Sequence, residues 1–146
     1  MSLFHRTHTL LQVSTAANTN QTGKSYAVVP NADDLSFRAF VDIEQSGGSG
    51  SPSTTLHLET SYDGHWIEAM EPIQLAGEGS THKFVEVEAL GPLVRARTVV
   101  AGSSKPSHTV TVKLAANGAF QVREKAATYN TSSSDPVSPS SVSSPA

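Results

Sequence analysis

Hydrophobic and polar residues alternate with a period of two along most of the chain. The clearest run occupies residues 35–44, and its hydrophobic positions on one face are Leu35, Phe37, Ala39, Val41 and Ile43. Similar runs occupy residues 56–60, 85–88, 94–98 and 109–114. Successive side chains of a β-strand point to opposite faces, so this pattern predicts strands with one buried face and one solvated face.

Turn-forming residues separate the alternating runs. They cluster at Pro30-Asn31, 47–52, Asp63-Gly64, 77–79, Gly91-Pro92, 102–106 and Asn117-Gly118. Glycine, proline and asparagine favour the backbone conformations of tight turns. Short strands with short connections predict an all-β fold, an antiparallel β-sandwich or jelly roll of about eight strands with extended N- and C-terminal arms.

Two hairpins are predicted, and each leaves its register open. A two-residue turn at Asp63-Gly64 pairs Thr60 with Ile67 and places Trp66 on the outer face. A three-residue loop pairs Trp66 with Tyr62 and places the tryptophan in the core. We favour the longer loop because it buries the only tryptophan of the chain. A tight turn at Asn117-Gly118 places the apolar residues of the following strand on the face away from the core. Either a β-bulge returns them to the core, or this strand faces a neighbouring subunit.

The two ends of the chain differ from its centre. Residues 1–26 are interpreted as an N-terminal arm, 27–126 as the sandwich domain, and 127–146 as a C-terminal tail rich in serine and proline. Such a tail buries too little apolar surface to offset the entropy of ordering it, so we expect it to become ordered against other molecules.

Charge and composition narrow the class of partner. The net charge is −3, there is no cysteine, and no stretch approaches the roughly 20 apolar residues that span a bilayer. We therefore expect a soluble protein made in the cytoplasm that binds neither nucleic acid nor membrane. We expect no cofactor.

No pattern of catalytic or metal-binding residues meets its usual requirements. Residues 22–25 lack the upstream glycine of a phosphate-binding loop, and no G-x-S-x-G motif is present. His57 and Glu59 share a strand face and could coordinate a metal if His65 or Glu68 came near, but a solvated polar face is the simpler interpretation. The prediction is no catalytic site, no metal site and no enzyme activity.

Arginine and aliphatic residues share the predicted outer face of residues 93–99. Arg95 and Arg97 lie two apart, beside Leu93 and Val99. Arginine is enriched in protein interfaces, so this face is a candidate partner-binding surface. The N-terminal arm supplies the other candidates, which are Phe4, Arg6, Leu10 and Leu11.

Residues 56–66 read Leu-His-Leu-Glu-Thr-Ser-Tyr-Asp-Gly-His-Trp, a strand followed by S-x-D-G and an aromatic residue on the return strand. Residues 91–97, 106–112 and 114–118 add Gly-Pro-Leu-Val-Arg-Ala-Arg, Pro-Ser-His-Thr-Val-Thr-Val and Leu-Ala-Ala-Asn-Gly. In this order the segments resemble the capsid decoration (cement) and head-associated proteins of tailed bacteriophages. The resemblance extends roughly from Leu35 to Val122.

The resemblance implies a non-enzymatic virion protein on the capsid exterior, which stabilises the lattice and grips its neighbours with its arms. Its partners would be the major capsid protein, copies of itself, or both. A neck or tail component is an alternative. The pattern of residues 56–66 also occurs in discoidin-like sugar-binding modules. A carbohydrate-binding module on a virion or cell surface, with Asp63, His65 and Trp66 at its site, is therefore the other alternative.

Overall fold

A computed structural model of the protein describes residues 6–31, 35–62 and 64–124. Within these ranges the chain forms eleven strands and no helix, in two antiparallel sheets packed against each other. The predicted all-β sandwich is confirmed. The strands outnumber the predicted eight partly because two of them contain only two residues, which is too short to show alternation. No helical segment in this part of the chain has the length and apolarity that a membrane crossing requires.

The first sheet contains four strands. They are β1 (Arg6–Ala17), β4 (Phe37–Ser46), β8 (Gly79–Glu86) and β10 (Ser107–Ala116). Their spatial order is β1-β10-β4-β8, so β1 and β8 form the two edges.

The second sheet contains seven strands. They are β2 (Gln21–Thr22), β3 (Tyr26–Pro30), β5 (Ser53–Ser61), β6 (Ile67–Glu68), β7 (Ile73–Ala76), β9 (Leu93–Ala101) and β11 (Phe120–Glu124). The main order is β11-β3-β9-β5-β6, while β2 pairs with β9 and β7 pairs with β5. Strands β5 and β9 therefore form the centre of this sheet.

Alternate side chains of four central strands fill the space between the sheets. Those with 0% exposure include Ala39, Val41, Ile43, Leu56, Leu58, Val94, Ala96, Val112 and Leu114. The period-two pattern predicted each of these positions as inward-facing. Burial of each larger aliphatic side chain contributes about 1.5–3 kcal/mol to folding, so these inner faces define the core.

Residues 6–22, which the sequence placed in an N-terminal arm, are part of the folded body. Strand β1 pairs with β10, and the register shifts between Thr9 and Leu11, so that Leu10 is an extra residue and Leu11 lies opposite Val112. An extra residue in one strand forms a β-bulge and interrupts the alternation of faces. The bulge explains why two consecutive leucines are buried, with exposures of 2% and 8%.

The proposed partner-binding role of Leu10 and Leu11 is therefore wrong, because both side chains are occupied in the core. The pattern was misleading since the bulge breaks the period of two at this point. Arg6 is exposed at the first position of β1. Phe4 and residues 127–146 lie outside the described residues.

The hairpin predicted at Asn117-Gly118 does not form. Strand β10 pairs with β1 and β4 in the first sheet, whereas β11 pairs with β3 in the second. The segment between β10 and β11 thus crosses from one sheet to the other. The backbone N–H of Ser36 donates to the Asn117 side-chain oxygen over 3.0 Å, which secures this crossing. Neither the bulge nor the subunit contact considered for this hairpin is needed.

A buried polar group closes one end of the sandwich. His108 is 1% exposed, and its Nε2 lies 3.0 Å from the Thr98 hydroxyl of the opposite sheet. Burial lowers the pKa of His108, and the nearby backbone of Ala17 opposes this less strongly. The Nδ1 atom has no partner in good hydrogen-bond geometry within the described residues, so its interaction with Ala17 is weak.

Replacement of Leu10 tests whether β1 belongs to the core. We expect Leu10→Ala to lower the free energy of unfolding by about 2–5 kcal/mol, because it deletes buried methyl groups and leaves a cavity. Chemical denaturation measures this value. The control is Val29→Ala, since Val29 is 49% exposed and should change stability little. Equal stability of Leu10→Ala and wild type would contradict the placement of β1.

Acidification tests the burial of His108. Its pKa lies below the ordinary value of 6.5 in the folded protein, so the unfolded state binds more protons below that pH. Stability should therefore fall as pH drops below about 6.5, by at most about 1.4 kcal/mol per pH unit. We expect His108→Gln to flatten this slope between about pH 6.5 and 5. Val29→Ala, at an exposed side chain that carries no titratable group, should leave the slope as it is in wild type.

Candidate functional site

The outer face of the second sheet brings charged side chains of two neighbouring strands together. In the pairing of β5 with β9, Glu59 lies opposite Arg95 and His57 lies opposite Arg97. Their inward neighbours, such as Leu58 and Ala96, are fully buried. The strand period therefore forces these charged residues outward, as predicted for the two arginines.

Glu59 lies beneath the two arginines. Its carboxylate accepts a hydrogen bond from Nε of Arg95 over 2.9 Å and another from Nε of Arg97 over 2.8 Å. The glutamate is only 5% exposed, whereas the arginine side chains are 27% and 30% exposed. Burial raises the pKa of Glu59, but the hydrogen bonds and positive charges of Arg97 and Arg95 together outweigh this and lower it. Glu59 is therefore ionised at neutral pH.

Trp66 completes this cluster. The guanidinium carbon of Arg95 lies 4.2 Å from the centre of the indole ring, which is cation–π geometry. Strand β6 pairs Thr60 with Ile67, the register of the two-residue turn. The three-residue loop that we favoured is therefore wrong, and Trp66 is half-buried on the outer face. The covering guanidinium shields the indole in place of core packing.

We name Glu59, Trp66, Arg95 and Arg97 the arginine–tryptophan cluster. Its formal charge is +1, because one carboxylate faces two guanidinium groups. Sequence reasoning found the arginines and the tryptophan as members of two rival sites, and the structure joins them. Glu59 was considered only as a metal ligand, because its arginine neighbours follow from strand pairing and not from local pattern.

The metal-binding arrangement considered for this face does not form in the described residues. Glu68 does approach His57, with 3.0 Å between its carboxylate oxygen and Nδ1. Glu59, however, faces two guanidinium groups whose positive charges oppose a cation. No group of three His, Cys, Asp or Glu within residues 6–31, 35–62 and 64–124 is arranged to hold a metal ion.

Exposed hydrophobic side chains lie on the same hairpin as Trp66 but on the opposite face of the sheet, because Ile67 pairs with the inward-facing Thr60. Tyr62 is 73% exposed and Ile67 is 55% exposed. They flank the segment that carries Trp66 and the exposed His65, while Asp63 lies outside the described residues. Aromatic, aliphatic and arginine side chains together are typical of the centre of protein interfaces. The exposed hairpin, which carries such side chains on its two faces, suits binding of another molecule.

Comparison of the chain with protein families, curated proteins and solved structures finds no match.

Removal of the buried charge tests the role of Glu59. We expect Glu59→Gln to lower the free energy of unfolding by about 1–3 kcal/mol, because a buried partner of two guanidinium groups is lost. The value is at the lower end for a buried pair, since water reaches both arginines. Denaturation at pH 7 measures it, and Glu44→Gln at an exposed position is the control.

The same variant has a pH signature. The pKa of Glu59 is lowered from 4.5, so its contribution to stability is present above that pH and lost as pH falls through the folded-state pKa. Below that range, wild type and Glu59→Gln should converge in stability. A constant difference down to strongly acidic pH would contradict the ionised state of Glu59.

Proposed function

We propose that this protein is a non-enzymatic structural component of a bacteriophage virion, which binds the capsid exterior and stabilises the lattice. The order of the strand and turn motifs between Leu35 and Val122 supports the class of protein. The observation that carries the binding role is the exposed β5–β6 hairpin, which presents the arginine–tryptophan cluster on one face and Tyr62 and Ile67 on the other.

The composition of this surface favours a protein partner. Tyrosine, tryptophan and arginine are the residue types most enriched among interface residues that contribute strongly to affinity. The surface is supported by the two central strands of a sheet, so it is fixed before binding and loses little conformational entropy. A rigid docking face suits a protein that adds to a preassembled shell.

Repetition of the binding site would supply the stabilising effect. A capsid presents many identical sites, and contacts of modest strength become effective when several are engaged at once. The partners are the major capsid protein, copies of this chain, or both. The protein is made in the host cytoplasm and resides on the outside of the virion.

Substitutions at the exposed hairpin test the proposal. Phage capsids that lack the protein are mixed with it, and co-sedimentation gives the affinity. We expect the double variant Tyr62→Ser/Ile67→Ser to bind about tenfold more weakly or worse, since loss of strong interface contacts exceeds 1.4 kcal/mol. Neither side chain is buried, so the variant should fold.

The matched control is Val29→Ser, a change at an aliphatic side chain that is 49% exposed on β3. It should bind as wild type does. Failure of the wild-type protein to sediment with capsids would refute the proposed function, and full binding by the double variant would refute the proposed surface. Deletion of residues 1–20 is unsuitable for this test, because it removes strand β1, whose Leu10 and Leu11 pack in the core.

A carbohydrate-binding module is the second candidate, and the half-exposed position of Trp66 is the observation that favours it. Sugars stack on indole faces, and Arg95 occupies one face of this ring. A glycan array would support this candidate if binding were lost in Trp66→Ala with the fold intact.

A place in the phage neck or tail is the third candidate, and it predicts binding to isolated connectors or tails but not to shells.

A further inference from the structure

The two arginines of the cluster use only a small part of their hydrogen-bonding capacity. Each guanidinium carries five N–H donors. Arg95 and Arg97 each donate through Nε to Glu59, and within the part of the chain that the structure describes their remaining nitrogens make no hydrogen bond. Since both side chains are more than a quarter exposed, these donors are available to a partner.

The spacing of the two guanidinium groups already accommodates a carboxylate. The arginines lie two apart on β9, so their Cα atoms are separated by about 7 Å. The carboxylate of Glu59 spans them from below, with one oxygen bonded to each. A second carboxylate approaching from solvent would meet the same pair of planar donors, which suit carboxylate geometry.

Charge indicates what kind of anion fits. The arginine–tryptophan cluster has a net charge of +1, and the neighbouring Glu68 is paired with His57. One monoanion would neutralise the cluster, whereas a phosphate dianion would leave a negative charge close to Glu59 and Glu68. Complementarity therefore favours a single carboxylate.

The surroundings indicate where that carboxylate comes from. The half-buried indole of Trp66 leaves apolar surface beside the two guanidinium groups. A protein segment that presents an acidic side chain next to apolar side chains matches both the guanidinium donors and the neighbouring apolar surface. A small ion or a polar sugar matches only one of these two features.

We infer that Arg95 and Arg97 bind a carboxylate of an aspartate or glutamate in an acidic, partly apolar segment of a protein partner. This inference rests on the proposed function, because it specifies the chemistry of the same surface. Trp66 positions Arg95, and Glu59 holds both guanidinium groups at the spacing that the incoming carboxylate requires.

The first test uses poly-L-glutamate as the probe and the fluorescence of Trp66, the only tryptophan, as the readout. We expect saturable quenching at pH 7 and low ionic strength that weakens with added salt. Arg97→Gln should bind about tenfold more weakly, as expected for loss of hydrogen bonds from a charged donor. Arg97→Lys retains the charge but not the planar fork, so its affinity should be intermediate.

The matched control is Arg38→Gln. Arg38 also lies over an aromatic ring, 5.1 Å from the centre of Phe84, on the outer face of the other sheet. It should bind poly-L-glutamate as wild type does. Circular dichroism and thermal unfolding confirm that each variant is folded, and Arg97→Lys keeps the test valid if Arg97→Gln does not fold. Unchanged affinity in the folded Arg97 variant, or no wild-type binding, would overturn the inference.

Hyaluronate, whose carboxylates are carried on sugars, distinguishes the source of the anion. Tighter binding of hyaluronate than of poly-L-glutamate would overturn the assignment to a protein segment and favour the carbohydrate-binding candidate. Weaker binding supports the assignment.

The capsid assay separates this inference from the proposed function. If Tyr62→Ser/Ile67→Ser loses capsid binding while Arg97→Gln keeps it, the inference fails and the proposed function stands. If wild type does not sediment with capsids but binds poly-L-glutamate through Arg97, the proposed function fails and the carboxylate site stands. Loss of both interactions in Arg97→Gln supports both.

Discussion

Burial of alternate side chains between the two sheets is the constraint on which the other features depend. The inner faces of β4, β5, β9 and β10 are filled by aliphatic residues with almost no solvent exposure. A slip of one residue in any of these strands would move its whole apolar set to solvent. The same constraint fixes which residues face outward, so the position of the arginine–tryptophan cluster is a consequence of core packing.

The cluster stabilises a buried carboxylate on the outer face of a sheet. An unpaired carboxylate that is 5% exposed would be strongly destabilising, and two guanidinium groups offset that desolvation. Two cations facing one anion leave a residual positive charge at the surface. The arrangement thus stabilises the sheet and leaves donors for binding, which connects the electrostatics of the fold to its proposed role.

The placement of β1 changes where a partner is expected to bind. Leu10 and Leu11 pack inside the sandwich, so the apolar residues of this segment serve folding. The exposed aromatic and aliphatic residues near the cluster belong instead to the β5–β6 hairpin. The proposed binding surface therefore lies on the sheet that contains β5 and β9.

The sequence by itself determined the fold class and the inward residues of the long strands, such as Val41 and Leu58. Side-chain alternation is a local property of extended backbone, so it is visible without knowledge of strand partners. Tertiary structure alone decided the sheet assignment of β1 and β11, the outward position of Trp66 and the pairing of Glu59 with arginines 36 and 38 residues away. These features depend on register between strands distant in sequence, and on a bulge that local alternation does not reveal.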